Sequence, residues 1–173
     1  MISTGRIRIM TDCRGSLALF AMAFAFVLAG CKSQPITYQE FQRGNQGDKS
    51  LVYFTLVCRA DATVKLWPRI RGEGTIQIDC ERDKPLFLSY ALGEGIYSLS
   101  AWNFNDSFRW PEHTFEVGNS DERKVYYWGR ITVTVLNPMA NGVTVEQNEE
   151  DLRKITEETG IPVKAIEVSF VRE

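Results

Sequence analysis

The chain has a single histidine, only four cysteines and no run of lysine and arginine, and each shortage closes off a class of function. A serine or cysteine nucleophile needs a base. His113 is the one imidazole present, and nothing in the sequence places Ser107 or Cys80 beside it. His113 and the adjacent Glu112 make two metal ligands at most, and no cysteine has a second ligand at C-x-x-C spacing. No catalytic residue, metal or cofactor is therefore expected. Without a basic cluster the chain has no local attraction for a phosphate backbone, so nucleic acid is not an expected partner. Long apolar runs are also scarce. The longest, Leu17 to Ala29, covers 13 residues. As a helix it would extend roughly 20 Å against a hydrocarbon core of about 30 Å, too short for a permanent span.

What is present suits a folded protein. At 173 residues, 44% hydrophobic and 24% charged, the chain is close to globular averages and long enough for one domain with a real core.

The N-terminus has the order of a secretion signal. Arg6, Arg8 and Arg14 form a basic region, the apolar run follows, and Leu28-Ala29-Gly30-Cys31 comes next. Those four residues resemble the lipobox of bacterial lipoproteins. The resemblance implies diacylglyceryl transfer to the Cys31 thiol, cleavage before it, and acylation of the new amine. Lys32, rather than aspartate, at the following position implies release to the outer membrane, facing the periplasm. Several acyl chains would hold the protein firmly at about 0.8 kcal/mol per buried methylene. A start at Met10 would give the same mature product.

Removing Arg6, Arg8, Arg14 and Asp12 from 20 basic and 22 acidic residues leaves a mature charge of −4. Cys13 leaves with the signal and Cys31 is consumed by lipid, so Cys58 and Cys80 remain. In an oxidising periplasm these two are expected to pair as a disulfide, with two buried free thiols as the alternative.

Residues 1–30 are thus read as the signal, 31–50 as a flexible polar tether, and 51–173 as the domain. In the domain, short segments rich in β-branched and aromatic residues alternate with turn signals. Leu51 to Cys58, Thr63 to Trp67 (stopped by Pro68), Thr75 to Cys80, Pro85 to Tyr90, Ile96 to Phe104 and Val125 to Leu136 are predicted strands. His113 to Val117, next to Pro111, is expected at a sheet edge. Gly129 marks a bulge or a close backbone approach. One helix is persuasive: Asn148 caps it, Glu149, Glu150 and Asp151 fill its first turn, Leu152 and Ile155 form its apolar stripe, and Gly160 ends it. It is expected to dock on the sandwich edge, before a last strand over Val163 to Val171. The fold class is all-β, a sandwich of seven to eight strands with one short C-terminal helix.

Leu92-Gly93-Glu94-Gly95-Ile96-Tyr97-Ser98-Leu99 resembles the glycine, turn, aromatic, x, apolar pattern of transthyretin-like and carboxypeptidase-regulatory-like sandwich domains. Val125 to Ile131 is similar to a later strand in small secreted bacterial proteins of that type. The resemblance implies a domain that scaffolds or binds, with the tyrosine plugging the core, and implies no catalytic residue.

The best functional candidate is the aromatic block of Trp102, Phe104, Phe108 and Trp110, interleaved with Asn103, Asn105, Asp106 and Arg109. Core packing is the first reading, with Trp102 and Phe104 inward alongside Leu99. A protein-partner patch or a glycan platform using Trp102, Phe108 and Trp110 are the alternatives. Tyr126 and Trp128 fall on one face of their strand and Tyr127 on the other, so one aromatic there is expected to be exposed. The carboxylates of the helix are expected to be solvated. Together these features point to a lipid-anchored, non-enzymatic domain that binds or scaffolds other envelope proteins. A cell-wall glycan recognition module and a structural subunit of a secretion or assembly machine are the rivals.

Overall fold

The computed structural model describes residues 34–44, 47–70, 74–102, 113–118, 124–137 and 140–169. Nine strands among them form two sheets stacked as a sandwich. One sheet has the order β4 (Leu86–Leu92), β1 (Ser50–Cys58), β7 (Val125–Asn137) and β8 (Ala140–Glu146), with β9 (Glu167–Val168) paired to the start of β7. The other has the order β3 (Ile76–Cys80), β2 (Ala62–Ile70), β5 (Gly95–Trp102) and β6 (His113–Val117). Every pairing is antiparallel except β1 with β7 and β9 with β7.

Alternation explains the four-stranded sheet. Ile76, Ile78 and Cys80 are buried while Gln77 and Asp79 are exposed, and Tyr97, Leu99, Ala101, Phe115 and Val117 face the same core. β6 lies at the sheet edge, where its neighbouring proline predicted it. Pro68, however, does not stop β2, which continues to Ile70. Pairing with β3 ends at Leu66, so beyond that point β2 has a partner on one side only, where a missing N–H is tolerated.

β1 is buried at all nine positions, which is what its unbroken apolar run requires of a strand covered on both faces. Phe54, Leu56 and Cys58 face the inter-sheet core; Leu51 and Tyr53 face a second cluster on the outside of the five-stranded sheet. That second cluster is closed by two helices. The first is α1 (Tyr38–Arg43), and it corrects the expected tether. Thr37 and Glu40 form a reciprocal capping box and Phe41 is fully buried. The chain just before it runs along the β4 edge, where the Ile36 N–H donates to the Ser89 carbonyl at 3.0 Å. α2 (Glu149–Thr159) is the expected helix, with the Asn148 side chain accepting from the Asp151 N–H and Gly160 in the left-handed conformation at its C-cap. It lies on the face of the sheet, not on the sandwich edge, burying Leu152 and Ile155 against Tyr53 and Tyr127. In the described part of the predicted last strand, Val163–Ala165 is a 3₁₀ turn and Glu167–Val168 pairs with β7; the end of that prediction lies outside the described residues.

Gly129 satisfies both expectations for it. The β1–β7 register slips between Tyr53 and Thr55, so that Trp128 and Gly129 together oppose Phe54. With φ at +97°, a Cβ on Gly129 would meet the Glu146 carbonyl at 2.8 Å. The bulge reverses the side-chain phase of β7, so Tyr126 and Trp128 before it and Ile131 and Val133 after it all face the inter-sheet core. Trp128 sits at the centre, its ring 4.8 Å from Phe115 and 6.0 Å from Phe54.

Candidate functional site

Cys58 and Cys80 are disulfide-bonded, with Cα atoms 6.0 Å apart. The bond joins β1 of one sheet to β3 of the other inside the core, and it removes Cys80 from any nucleophilic role. His113 opens β6 with its ring 5.8 Å from that of Phe115. Of the aromatic block, the Trp102 backbone ends β5 opposite Thr63, and its side chain lies outside the described residues. Phe104, Phe108 and Trp110 lie outside them too, as does Cys31. In the described part of β5 the inward set is Tyr97, Leu99 and Ala101.

The acidic helix is not uniformly solvated. Asp151 is 1% exposed and is the shared acceptor of a compact network. The Tyr127 hydroxyl donates to its Oδ2 at 3.0 Å, and Arg130 donates through Nε at 3.3 Å and through a terminal nitrogen to Oδ1 at 3.0 Å. The bulge at Gly129 produces this arrangement, because it brings Tyr127 and Arg130, three residues apart, to the same face of the sheet. Burial first, and the Asp151 carboxylate second, push the Tyr127 hydroxyl well above the usual tyrosine range. The other end of the helix repeats the pattern. Glu158 accepts from the Tyr53 hydroxyl and from the Tyr38 N–H, each at 3.0 Å, linking α2, β1 and α1. Burial and then Glu158 raise Tyr53 in the same direction. Tyr126, Tyr127 and Trp128 are consequently all buried, against the expectation of one exposed aromatic. Tyr127 faces away from the main core, but the helix covers it. These acids are satisfied hydrogen-bond acceptors that fasten a helix, which is a structural use.

The outer face of the four-stranded sheet differs. The buried helical residues, Phe41, Asp151, Leu152 and Ile155, all belong to the opposite sheet's cover. On the four-stranded sheet the outward positions of β2 are Thr63, Lys65 and Trp67, paired with Asp79 and Gln77 of β3 and with Ser100 and Ser98 of β5. Trp67 is half-buried, yet its indole N–H is shut off from solvent and has no hydrogen-bond partner. Directly across the ladder the Ser98 hydroxyl is in the same condition. A few residues along, Ile70 pairs with Ile96 and is 53% exposed. The half-buried Trp67 ring and the exposed Ile70 form the most ligand-ready surface among the described residues, while the Ser98 hydroxyl beside them is buried. Sequence reasoning missed Trp67 because Pro68 after it was taken as a strand end. The alternation Lys65, Trp67, Arg69 carried the signal, since it groups the tryptophan with charged residues on a solvent face.

Among the described residues no group of three His, Cys, Asp or Glu side chains is arranged to hold a metal ion, and no helix is long and apolar enough to cross a membrane. No known protein family matches the chain, and no curated protein matches it either.

Proposed function

We propose that the protein is a lipoprotein of the bacterial cell envelope, held on the outer membrane by lipid on Cys31 and facing the periplasm. Its transthyretin-like domain is non-enzymatic and binds or scaffolds another envelope protein. The observation that carries the binding reading is the half-buried Trp67 ring beside the exposed Ile70 on the outer face of the four-stranded sheet. Aromatic anchors of this type concentrate binding energy at protein interfaces.

Two further features support the class and the compartment. The strand orders β4-β1-β7-β8 and β3-β2-β5-β6, with β1 parallel to β7, suit a transthyretin-like sandwich. So does Tyr97, which plugs the core while its hydroxyl donates to the Gly93 carbonyl four residues back at 2.9 Å. A bonded Cys58–Cys80 pair suits an oxidising compartment.

The anchor is tested by Cys31→Ser, which should lose membrane association and keep the signal uncleaved; sedimentation with membranes after alkaline washing would defeat it. The surface is tested by placing a photo-crosslinking amino acid at Trp67 and, separately, at the exposed Arg153 on α2. A discrete protein adduct from position 67 alone is expected. Equal labelling from both positions, or none from 67, would remove the open sheet as the binding face.

A further inference from the structure

Taking the lipoprotein reading as its basis, we infer that the lipid on Cys31 also orients the domain, seating its β4 and α1 side against the bilayer headgroups and turning the β8 edge away. The inference comes from where the folded chain begins. Ile36 is fixed to β4 by its N–H on the Ser89 carbonyl, and the Ser89 hydroxyl donates back to the Ile36 carbonyl. Thr37 and Glu40 then cap α1, the Tyr38 N–H is held by Glu158, and Phe41 is buried beneath the helix. Hence the chain is fastened to the domain from Ile36 onward, and four residues, Lys32 to Pro35, separate that point from the lipidated cysteine, a span of five Cα-to-Cα steps.

Covalent geometry limits what five such steps can span. At most about 3.6 Å each, they reach no further than about 18 Å even when fully extended. A leash of that length is comparable to the width of the sheet itself, since three strand spacings of about 4.8 Å put β8 roughly 14 Å from β4. Turning the far edge toward the membrane would use most of that reach and hold the leash nearly taut along the side of the domain, whereas with the β4 and α1 side down it stays slack. A flexible tether of twenty residues would have imposed no such restriction. The partner of this side is the bilayer surface, and a protein partner reaches the domain from the other sides.

The mature protein offers a clean labelling scheme, because Cys31 carries lipid and Cys58 is bonded to Cys80. A cysteine introduced at Gln39 on α1 or at Thr144 on β8, both exposed, is then the single free thiol. Each full-length lipidated variant would be labelled with a fluorophore and reconstituted in phosphatidylethanolamine–phosphatidylglycerol vesicles that carry a headgroup nitroxide. Quenching at Gln39 should exceed that at Thr144 several-fold. A flexible Gly-Ser insertion of about 12 residues after Ser33 adds about 20 Å of root-mean-square reach and should bring the two signals close together. If the variants sediment with vesicles but the two positions are quenched equally on the native leash, orientation by the leash is wrong and the anchor stands. If the native leash shows the difference and the insertion leaves it unchanged, something other than leash length sets the orientation and the inference is likewise overturned. If lipid is absent from Cys31 and the protein stays in solution, the anchor reading fails and the orientation falls with it.

Discussion

The five-stranded sheet buries aromatic rings on both sides, Phe54 and Trp128 inward and Tyr53 and Tyr127 outward, whereas the four-stranded sheet buries a full layer on its inner side only. Both are built from the same kind of strand. The difference lies in what the rest of the chain supplies. Two capped helices cover one outer face, and two acids of α2 accept from the tyrosine hydroxyls beneath them. On the other face a tryptophan N–H and a serine hydroxyl lack a hydrogen-bond partner among the described residues, as the Thr55 and Thr156 hydroxyls do on the helix-covered side. What separates the two faces is the helical cover over one of them, not the satisfaction of every buried donor.

The sharpest way to break this comparison is to truncate one residue on each face. Ile155→Ala, beneath α2, should cost about 2–5 kcal/mol by loss of burial plus a cavity. Trp67→Ala should cost about 1 kcal/mol or less, because removing the shielded N–H also removes a desolvation penalty that offsets the lost contact. Urea unfolding of the two variants measures both. Equal losses would mean that Trp67 is a core residue and that the open face is closed in solution.

The disulfide is the next largest effect, since it is the covalent link between the two sheets. A Cys58→Ala, Cys80→Ala double variant, opening a loop with a sequence separation of 22, should lose about 3 kcal/mol. If denaturation instead became two separate transitions, the sheets would be stable alone and the sandwich would not be one cooperative unit.

Alkaline titration separates the faces without mutation. Burial pushes Tyr90, inside the sandwich, up to about 12, and burial together with the α2 carboxylates pushes Tyr53 and Tyr127 up as well. A raised tyrosine value means that the fold favours the protonated hydroxyl. That stability is complete below the ordinary value of about 10 and is lost as pH rises through the raised values. Tyrosinate absorbance should therefore show these three ionising together with loss of circular dichroism above pH 10. Independent ionisation near 10 with an intact fold would show that the helices do not seal their sheet.

Much of this architecture was legible from residues alone. β1, β3, β5 and β7 announce themselves by β-branched and aromatic alternation, and α2 by its Asn148 and Gly160 caps. The Cys58–Cys80 pair followed from counting. What was not legible depends on the third dimension. β8 was not foreseen because Ala140–Glu146 offers only Val143 and Val145 as apolar contacts, and pairing with β7 supplies the rest. Asp151 looks like any first-turn acid until the Gly129 bulge turns Tyr127 and Arg130 toward it. The binding-face residues were harder still. Trp67 carries only its alternation with Lys65 and Arg69, and the proline after it masks that signal by reading as a strand end.

The smallest predicted effect concerns α1, the part of the cover that the sequence presented as tether. Thr37-x-x-Glu40 is a capping-box signature, but a helix of six residues is too short to persist without docking, so its polar composition concealed it. The Glu40 carboxylate, bonded to the Thr37 N–H and hydroxyl, is held below the usual carboxylate range. Its contribution is thus present above the ordinary glutamate value and is lost as pH falls through the lowered one. Thr37→Ala should cost about 1 kcal/mol, and the loss should be local: faster amide exchange at Phe41 and Gly44, whose N–H groups bond back to Thr37 and Glu40, with the exchange of β1 unchanged. If β1 exchanges faster as well, α1 belongs to the cooperative core. If nothing changes, Phe41 alone holds the segment, and the cap serves only to set the direction in which the chain leaves the β4 edge.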